Sequence, residues 1–165
     1  MQVFLGLGSN LDAKTHIDLA LEKLNQTFGE LKQSARYKSQ AVGFDGPDFI
    51  NMVVGFSSTL SPKSIALKCQ EIEIAVGRIR ETESGNRSRT IDIDLLLFIE
   101  EQGESLPNLP VPRTDIRDFA YAAMPLAELI PDWRHELIGN IPLICLLYTS
   151  PSPRDLSTSR MPSSA

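Results

Sequence analysis

Two aspartates separated by a single residue are the side chains of this sequence best suited to chemistry. Asp92 and Asp94 lie in the stretch RSRTIDIDLLLF (residues 87–98), whose apolar residues predict a buried strand. Because side chains alternate along a strand, both carboxylates share one face, with their Cα atoms about 7 Å apart. Mg²⁺ commonly takes one or two carboxylates and completes its shell with substrate phosphates. The plainer alternative is a half-exposed strand whose polar face meets only water.

Arginines cluster just ahead of this pair of aspartates. Arg78, Arg80, Arg87 and Arg89 lie in the residues that lead into the strand. A planar guanidinium fork matches phosphate oxygens, so the combination predicts a site for a metal–polyphosphate complex. The alternative is that the arginines favour a helix C-terminus through its dipole and otherwise belong to a solvated loop.

A second motif, GLGSN, lies near the N-terminus and contains two glycines, Gly6 and Gly8. It fits neither the phosphate-binding loop nor the dinucleotide-binding pattern. Gly8 is predicted to permit a tight turn after a short buried strand. The functional alternative is a strand-to-helix turn that closes over a ligand.

Bulk properties restrict the class of protein. The chain has 165 residues, 42% hydrophobic and 22% charged, as in an ordinary one-domain globular protein. A net charge of −5 and a pI near 5.0 argue against a general nucleic-acid binder. Cys69 and Cys145 show neither a disulfide framework nor metal-ligand spacing, which favours a reducing compartment. No apolar run is long enough to cross a bilayer and no basic leader precedes the first strand, so the prediction is a cytoplasmic protein without a membrane partner.

The order of predicted elements indicates an α+β protein. Strands are expected over residues 3–8, 31–40, 49–58 and 91–98. One helix should precede Gly29, and another should begin at Ser61 and end at Gly77. The apolar face of this second helix is predicted from the spacing to contain Ile65, Leu67, Cys69, Ile72 and Val76.

A last helix is predicted after Thr114 or Asp115, and it should carry Phe119, Tyr121, Met124 and Leu129. The predicted fold is therefore a ferredoxin-like β-α-β-β-α-β antiparallel sheet with helices packed on one face, plus this C-terminal helix. The other face of the sheet should be partly open. The domain is predicted to span residues 1–147. Residues 148–165, rich in Ser, Pro and Arg, are predicted to form a disordered, non-native tail that resembles translated adapter sequence.

Taken together, the motifs resemble one enzyme family. GLGSNL, YKSQAVGFDGPDFINMVV, EIEIAVGRIR, RSRTIDIDLLLF and LPVPRTDI resemble, in this order, the 6-hydroxymethyl-7,8-dihydropterin pyrophosphokinases of folate biosynthesis. The similarity runs from about residue 3 to residue 133. It implies transfer of pyrophosphate from MgATP to the hydroxymethyl group of 6-hydroxymethyl-7,8-dihydropterin, with release of AMP. The partners implied are ATP and this pterin, and the enzyme is expected to be a monomer.

The resemblance also implies a set of site residues. Two Mg²⁺ ions would be held by Asp92 and Asp94, which with Arg80 and Arg89 form the predicted catalytic group. The pterin would contact Ser39, Val42, Phe49, Asn51 and Tyr121, with the rings of Phe49 and Tyr121 on its two faces. ATP would contact Gln70, Glu73, Arg78, Arg80, Arg89, Ile93 and Arg113. Residues 39–48 and 81–88 would close over the substrates as lids.

Several positions depart from the family pattern. Arg113 and Thr114 stand where the family often has His-Tyr. Phe119 replaces an arginine, a contact that Arg117 could supply instead. The segment over residues 81–88 lacks the usual tryptophan. These departures leave as an alternative a divergent or catalytically impaired paralogue that serves as a nucleotide- and pterin-binding module.

A further alternative is an RNA-binding module of the same fold. Such a module would need exposed aromatic residues on its central strands, where this sequence has carboxylates that repel phosphate unless metal is bound.

Overall fold

The architecture rests on one antiparallel sheet. The structure is a computed structural model that describes residues 1–40, 46–77, 90–100, 111–148 and 158–162. Within these residues there are six strands: β1 (Gln2–Ser9), β2 (Lys32–Gln33), β3 (Tyr37–Ser39), β4 (Phe49–Ser57), β5 (Asp92–Ile99) and β6 (Ser159–Arg160). The strand order is β5-β1-β4-β3-β6, with β2 also paired to β4, and every pairing is antiparallel. The predicted mixture of helices with an antiparallel sheet is confirmed.

Two long helices and several short ones accompany the sheet. They are α1 (Ala13–Phe28), α2 (Pro62–Val76), α3 (Asp115–Asp118), α4 (Ala120–Leu129), a 3₁₀ turn (Glu136–Ile138) and α5 (Leu143–Leu146). No helix in the described part of the chain is long and apolar enough to cross a membrane.

The predicted ends of α1 and α2 are confirmed. The Ser61 hydroxyl accepts the Ser64 backbone N–H at 3.2 Å, and Pro62 occupies the first turn of α2. Gly77 then ends α2 with a left-handed backbone, and Gly29 follows the last residue of α1. The assignment of Leu67 to the apolar face of α2 is wrong, because this residue is 52% exposed. It lies two positions, or about 200° of helix rotation, from the buried Ile65.

Helices cover both faces of the sheet, which corrects the prediction of helices on one face. The alternating residues Val3, Leu5 and Leu7 of β1 pack against buried residues of α1 and α2. Phe4, between them, belongs to a second cluster formed with α3, α4 and the C-terminal turns, that is, the 3₁₀ turn and the one-turn helix α5. The second face is covered because the chain after residue 111 supplies enough apolar side chains. Its buried members are Ile116, Leu126, Ala127, Ile138, Leu143 and Leu146.

The last predicted helix is interrupted at Phe119. This residue has an extended backbone, with φ −132° and ψ 130°, between α3 and α4. Its N–H donates to the Asp115 carbonyl, while its own carbonyl accepts from Ala122 and Ala123. The extended residue therefore ends one helix and begins the next.

A bulge in β5 lies two residues beyond Asp94. The β1–β5 register shifts between Phe4 and Leu5, so that Leu96 has no Cα partner across the ladder. Leu96 and Leu97 both contribute to the second-face cluster. The Leu96 carbonyl accepts the backbone N–H of Arg113 at 2.9 Å, which fixes the start of the C-terminal helices beside the aspartates.

The outer edge of the sheet differs from its prediction. The expected strand over residues 31–40 is two short strands, and Tyr37 and Ser39 in the second of them are buried. Residues 158–162, part of the segment predicted to be disordered, include β6. Tyr37 pairs with Arg160 in this ladder, and the Met161 N–H donates to the Arg36 carbonyl at 2.7 Å. The rest of that segment, except Tyr148, lies outside the described residues.

Candidate active site

A cavity of about 360 Å³ opens on the second face of the sheet, where α3 and α4 meet the ends of β1, β4 and β5. Its walls combine carboxylates, amides, hydroxyls and aromatic rings. The lining residues are Gly6, Leu7, Gly8, Ser39, Gln40, Phe49, Asn51, Met52, Val53, Asp92, Asp94, Leu96, Asp115, Tyr121 and Ala122. A volume of this size suits a small heterocyclic ligand.

Two glycines of β1 form the floor of the cavity. Gly8 lies opposite Asn51 on one side and Asp92 on the other, while Gly6 lies opposite Asp94. A Cβ atom on Gly8 would approach the Asn51 Oδ1 to 2.9 Å. The prediction of a tight turn at Gly8 is wrong, since this residue lies within β1 and its φ is not positive. Glycine fits at this position because the Asn51 amide occupies the space that a Cβ atom would need.

The paired aspartates face the cavity together. Both Asp92 and Asp94 line it, whereas Ile93 between them is buried against α1 and α2 on the other face. The Asp94 side chain is 51% exposed, so its charge lies in contact with solvent. Among the described residues, no group of three or more His, Cys, Asp or Glu side chains forms a closed metal site. The oxygen donors of the pair fit Mg²⁺, which keeps further positions for phosphate and water.

Four of the residues predicted to contact a pterin meet in this cavity. Ser39, Phe49, Asn51 and Tyr121 all line it. The Asn51 Nδ2 donates to the Ser39 Oγ at 3.0 Å, which orients the amide beside the floor. The fifth residue, Val42, lies outside the described residues.

Tyr121 is fixed through both its ring and its hydroxyl. The Phe119 ring stacks on it with centroids 5.0 Å apart and an interplanar angle of 22°. The Tyr121 hydroxyl donates to the Asp115 Oδ2 at 3.1 Å. Burial, followed by the nearby carboxylate of Asp115, raises the pKa of Tyr121 above its usual value. The hydroxyl therefore remains protonated, and the ring is held in one orientation at the cavity wall.

Arg113 lies between two carboxylates of the cavity. Its Nη1 is 4.0 Å from the Asp94 Oδ1, and its Nη2 is 3.7 Å from the Asp115 Oδ1. Its Nε is buried without a hydrogen-bond partner among the described residues. Asp115 was expected only as a helix cap, so sequence reasoning missed it as a lining residue. Its position two residues after Arg113 gave no sign that it would reach Tyr121.

Most of the chain is similar to one known protein family. Residues 4–131 match the model of the 7,8-dihydro-6-hydroxymethylpterin-pyrophosphokinase (HPPK) family. The chain belongs to this family. The resemblance predicted from the motifs is therefore confirmed, and with it the assignment to an ATP-dependent pyrophosphokinase family of folate biosynthesis.

Curated bacterial relatives support the family assignment over most of their length. Each of the following is named 2-amino-4-hydroxy-6-hydroxymethyldihydropteridine pyrophosphokinase. The protein of Porphyromonas gingivalis is 36% identical over 137 residues, which cover 81% of this chain and 92% of the relative. That of Pseudomonas aeruginosa is 38% identical over 138 residues, which cover 81% of this chain and 83% of the relative. That of Aquifex aeolicus is 37% identical over 138 residues, which cover 82% of this chain and 84% of the relative.

A solved structure shows the same fold at low sequence identity. The HPPK-DHPS of Plasmodium falciparum with pteroate superimposes with a TM-score of 0.70 and 12% identity. The match covers 96% of this chain and 47% of that one, so the present chain spans about half the length of that protein.

The remaining predicted ATP contacts of this pyrophosphokinase-family chain lie on α2 and β5 or outside the described residues. Glu73 is buried, and its Oε1 accepts the backbone N–H of Ile93 at 3.1 Å, which ties α2 to the strand of aspartates. Gln70 is exposed on α2. Burial, with smaller contributions from the Glu73 and Asp94 carboxylates, raises the pKa of Cys69 to about 12, so this thiol remains neutral. The arginines predicted at the phosphates, Arg78, Arg80 and Arg89, lie outside the described residues, as does the segment 81–88.

Proposed function

We propose that the protein transfers pyrophosphate from MgATP to the hydroxymethyl group of 6-hydroxymethyl-7,8-dihydropterin and releases AMP. The observation that carries this proposal is the meeting of paired carboxylates and an aromatic, amide-lined pocket in one cavity. One part suits a metal–polyphosphate, and the other suits a flat heterocycle. A reaction that joins the two substrates needs both parts side by side.

The pterin half of the site is proposed to lie between β4 and α4. The rings of Phe49 and Tyr121 would enclose the bicyclic ring, since aromatic systems favour parallel or offset contacts. Asn51, oriented by Ser39, can donate and accept at once, as the edge of a pterin requires. Val42 is proposed as a further contact.

The nucleotide half is proposed to lie along β5 and its neighbours. Asp92 and Asp94 would hold two Mg²⁺ ions, which when bound offset the charge of the phosphates. Arg113 is next to Asp94 and can meet a phosphate oxygen with the rest of its fork. The further ATP contacts proposed are Gln70, Glu73, Arg78, Arg80, Arg89 and Ile93.

In the proposed reaction, the pterin hydroxyl oxygen attacks the β-phosphorus of ATP in line with the departing oxygen of AMP. A bond forms from that oxygen to the β-phosphorus, the bond to the bridging oxygen of AMP breaks, and the hydroxyl proton goes to solvent. The chain contributes mainly by positioning and charge, as in other phosphoryl transfers. Arg80 and Arg89 are proposed to steady the charge on the departing group.

The broader assignments are proposals as well. The strand order β5-β1-β4-β3 supports a ferredoxin-like sheet, and so does the chain order β-α-β-β-α-β when the short strands β2 and β3 are counted as one interrupted strand. The proposed domain ends near residue 147, and the protein is proposed to act as a cytoplasmic monomer with no nucleic-acid partner. No observation favours the alternative of an impaired paralogue.

The proposal is tested by following AMP from ATP and Mg²⁺, with and without the dihydropterin alcohol. AMP and a pterin diphosphate should form in equal amounts, and only when both substrates are present. ADP as the product, or AMP formed at the same rate without the pterin, would refute it.

A further inference from the structure

Asp115 contacts both the aromatic wall and the cationic side chain of the cavity. Its Oδ2 accepts the Tyr121 hydroxyl at 3.1 Å, and its Oδ1 lies 3.7 Å from the Arg113 Nη2. Arg113 in turn reaches to 4.0 Å from the Asp94 Oδ1. The three contacts form a continuous path from the aromatic wall to the paired aspartates.

The path is anchored by a backbone hydrogen bond at one end and by ring stacking at the other. The Arg113 N–H donates to Leu96 at the bulge of β5, so the residue cannot move away from the strand of aspartates without losing this bond. At the other end, Phe119 stacks on the face of Tyr121 and leaves only the hydroxyl edge of the ring to Asp115. Asp115 is 25% exposed, so its carboxylate is partly shielded from solvent and its contacts are weakened less by water.

Arg113 has two acidic neighbours that compete for it. If it paired fully with Asp94, it would neutralise a carboxylate that the proposed function assigns to Mg²⁺. The Arg113 Nη2 is 3.7 Å from Asp115 and its Nη1 is 4.0 Å from Asp94, so neither carboxylate is within hydrogen-bond distance of the guanidinium. The guanidinium thus keeps donors in reserve for an acceptor that arrives with a substrate.

We propose that Asp115 is a positioning residue that sets Tyr121 for the pterin and Arg113 for the nucleotide. This inference rests on the proposed function. It assigns to one carboxylate two separable effects, one on each substrate. The hydroxyl contact governs the pterin side, and the charge contact governs the phosphate side.

Three substitutions separate the two effects. Tyr121→Phe removes the hydroxyl and should raise the KM for the pterin about 3- to 10-fold, because one hydrogen bond is lost. The dissociation constant of the nucleotide should not change. Asp115→Asn keeps an acceptor for Tyr121 but loses the charge, so it should weaken nucleotide binding by a similar factor. Asp115→Ala should change both constants, and its effect on the pterin KM should vanish in the Tyr121→Phe background.

Nucleotide binding is measured apart from turnover by calorimetry with the Mg²⁺ complex of α,β-methylene ATP, whose altered linkage is the one the reaction would break. Asp118→Asn is the matched control, because Asp118 lies in the same helix, pairs with Arg117 and does not line the cavity. Wild-type values for both constants in Asp115→Ala, or a fall in kcat alone, would reduce Asp115 to a helix-start residue and overturn the inference. A wild-type protein that forms no AMP would refute the proposed function instead, a result visible before any variant is compared.

Discussion

Asp94 is the residue at which the two halves of the candidate site meet. It lies across the ladder from Gly6, next to Arg113 and on the same wall as Asp92. A half-exposed carboxylate contributes little to the core, so its replacement tests function with little effect on folding.

Replacing Asp94 with Asn should lower kcat/KM for AMP formation by at least about 100-fold, because the amide removes the negative charge that a bound cation needs. The urea midpoint should stay close to that of the wild type. Calorimetry should show that ATP binding no longer depends on Mg²⁺. Asp132→Asn, an exposed acid away from the cavity, should leave all three measurements unchanged. Full turnover in Asp94→Asn would rule out the metal role.

Gly8→Ala should affect the pterin rather than the nucleotide. The new Cβ would lie 2.9 Å from the Asn51 Oδ1, so the amide must turn and lose its bond to Ser39. The expected result is a rise of about 3- to 10-fold in the pterin KM, the value of one hydrogen bond. In an Asn51→Ala background the same substitution should add little. An unchanged pterin KM in the single variant would mean that Asn51 gives way without consequence.

At this scale, the sequence identified residues by their chemistry but not by their contacts. Asp92 and Asp94 could be found because strict alternation places them on one face. Asp115 could not, because its carboxylate reaches Tyr121 only after the chain breaks at Phe119. Gly8 was misread because a glycine in a turn and a glycine under a neighbouring side chain look alike in sequence.

At the scale of elements, α2 and β5 set the position of the aspartates. The Glu73 carboxylate is buried and accepts the N–H of Ile93, the residue between Asp92 and Asp94. This bond crosses from the helix layer into the sheet. It therefore fixes the strand at Ile93, between the two aspartates.

Glu73→Ala should destabilise the protein by about 1–3 kcal/mol, because a buried N–H loses its acceptor. Glu73→Gln keeps an oxygen acceptor in the same place and should therefore lose less stability than Glu73→Ala. Urea unfolding measures both variants, and the Mg²⁺ dependence of turnover shows whether Asp92 and Asp94 have shifted. Equal stability of the alanine variant and the wild type would show that solvent replaces this contact.

Element boundaries were predictable where a local signal exists. Ser61 with Pro62, and the glycines at 29 and 77, mark helix ends through capping and left-handed backbone geometry that depend on the residue itself. The break at Phe119 and the bulge at Leu96 have no such signal. At these two positions the Phe119 ring stacks on Tyr121, and the Leu96 carbonyl accepts the backbone N–H of Arg113 from a distant part of the chain.

For the whole molecule, the second face of the sheet decides where the site can form. Helices α3 and α4 and the C-terminal turns cover this face but leave the cavity at the ends of β1, β4 and β5. The sequence indicated an open face because its C-terminal apolar residues are divided among short turns. Those turns contribute Ile138, Leu143 and Leu146 to the buried cluster.

Two truncations test where the folded domain ends. Removing residues 149–165 deletes β6, which contributes a two-residue ladder at the edge of the sheet. The change in the free energy of unfolding should be within about 1 kcal/mol, and AMP formation should persist. Removing residues 134–165 also deletes Ile138, Leu143 and Leu146 from the core, together with the bond from the Leu143 N–H to the Trp133 carbonyl.

The three buried side chains are together worth roughly 5–9 kcal/mol, which is comparable to the whole stability of a small domain. The shorter protein should therefore lose its cooperative unfolding transition and its AMP formation together, as followed by circular dichroism and the product assay. If the shorter protein instead kept a sharp transition and its AMP formation, the folded domain would end before residue 134, and a boundary near residue 147 would be wrong.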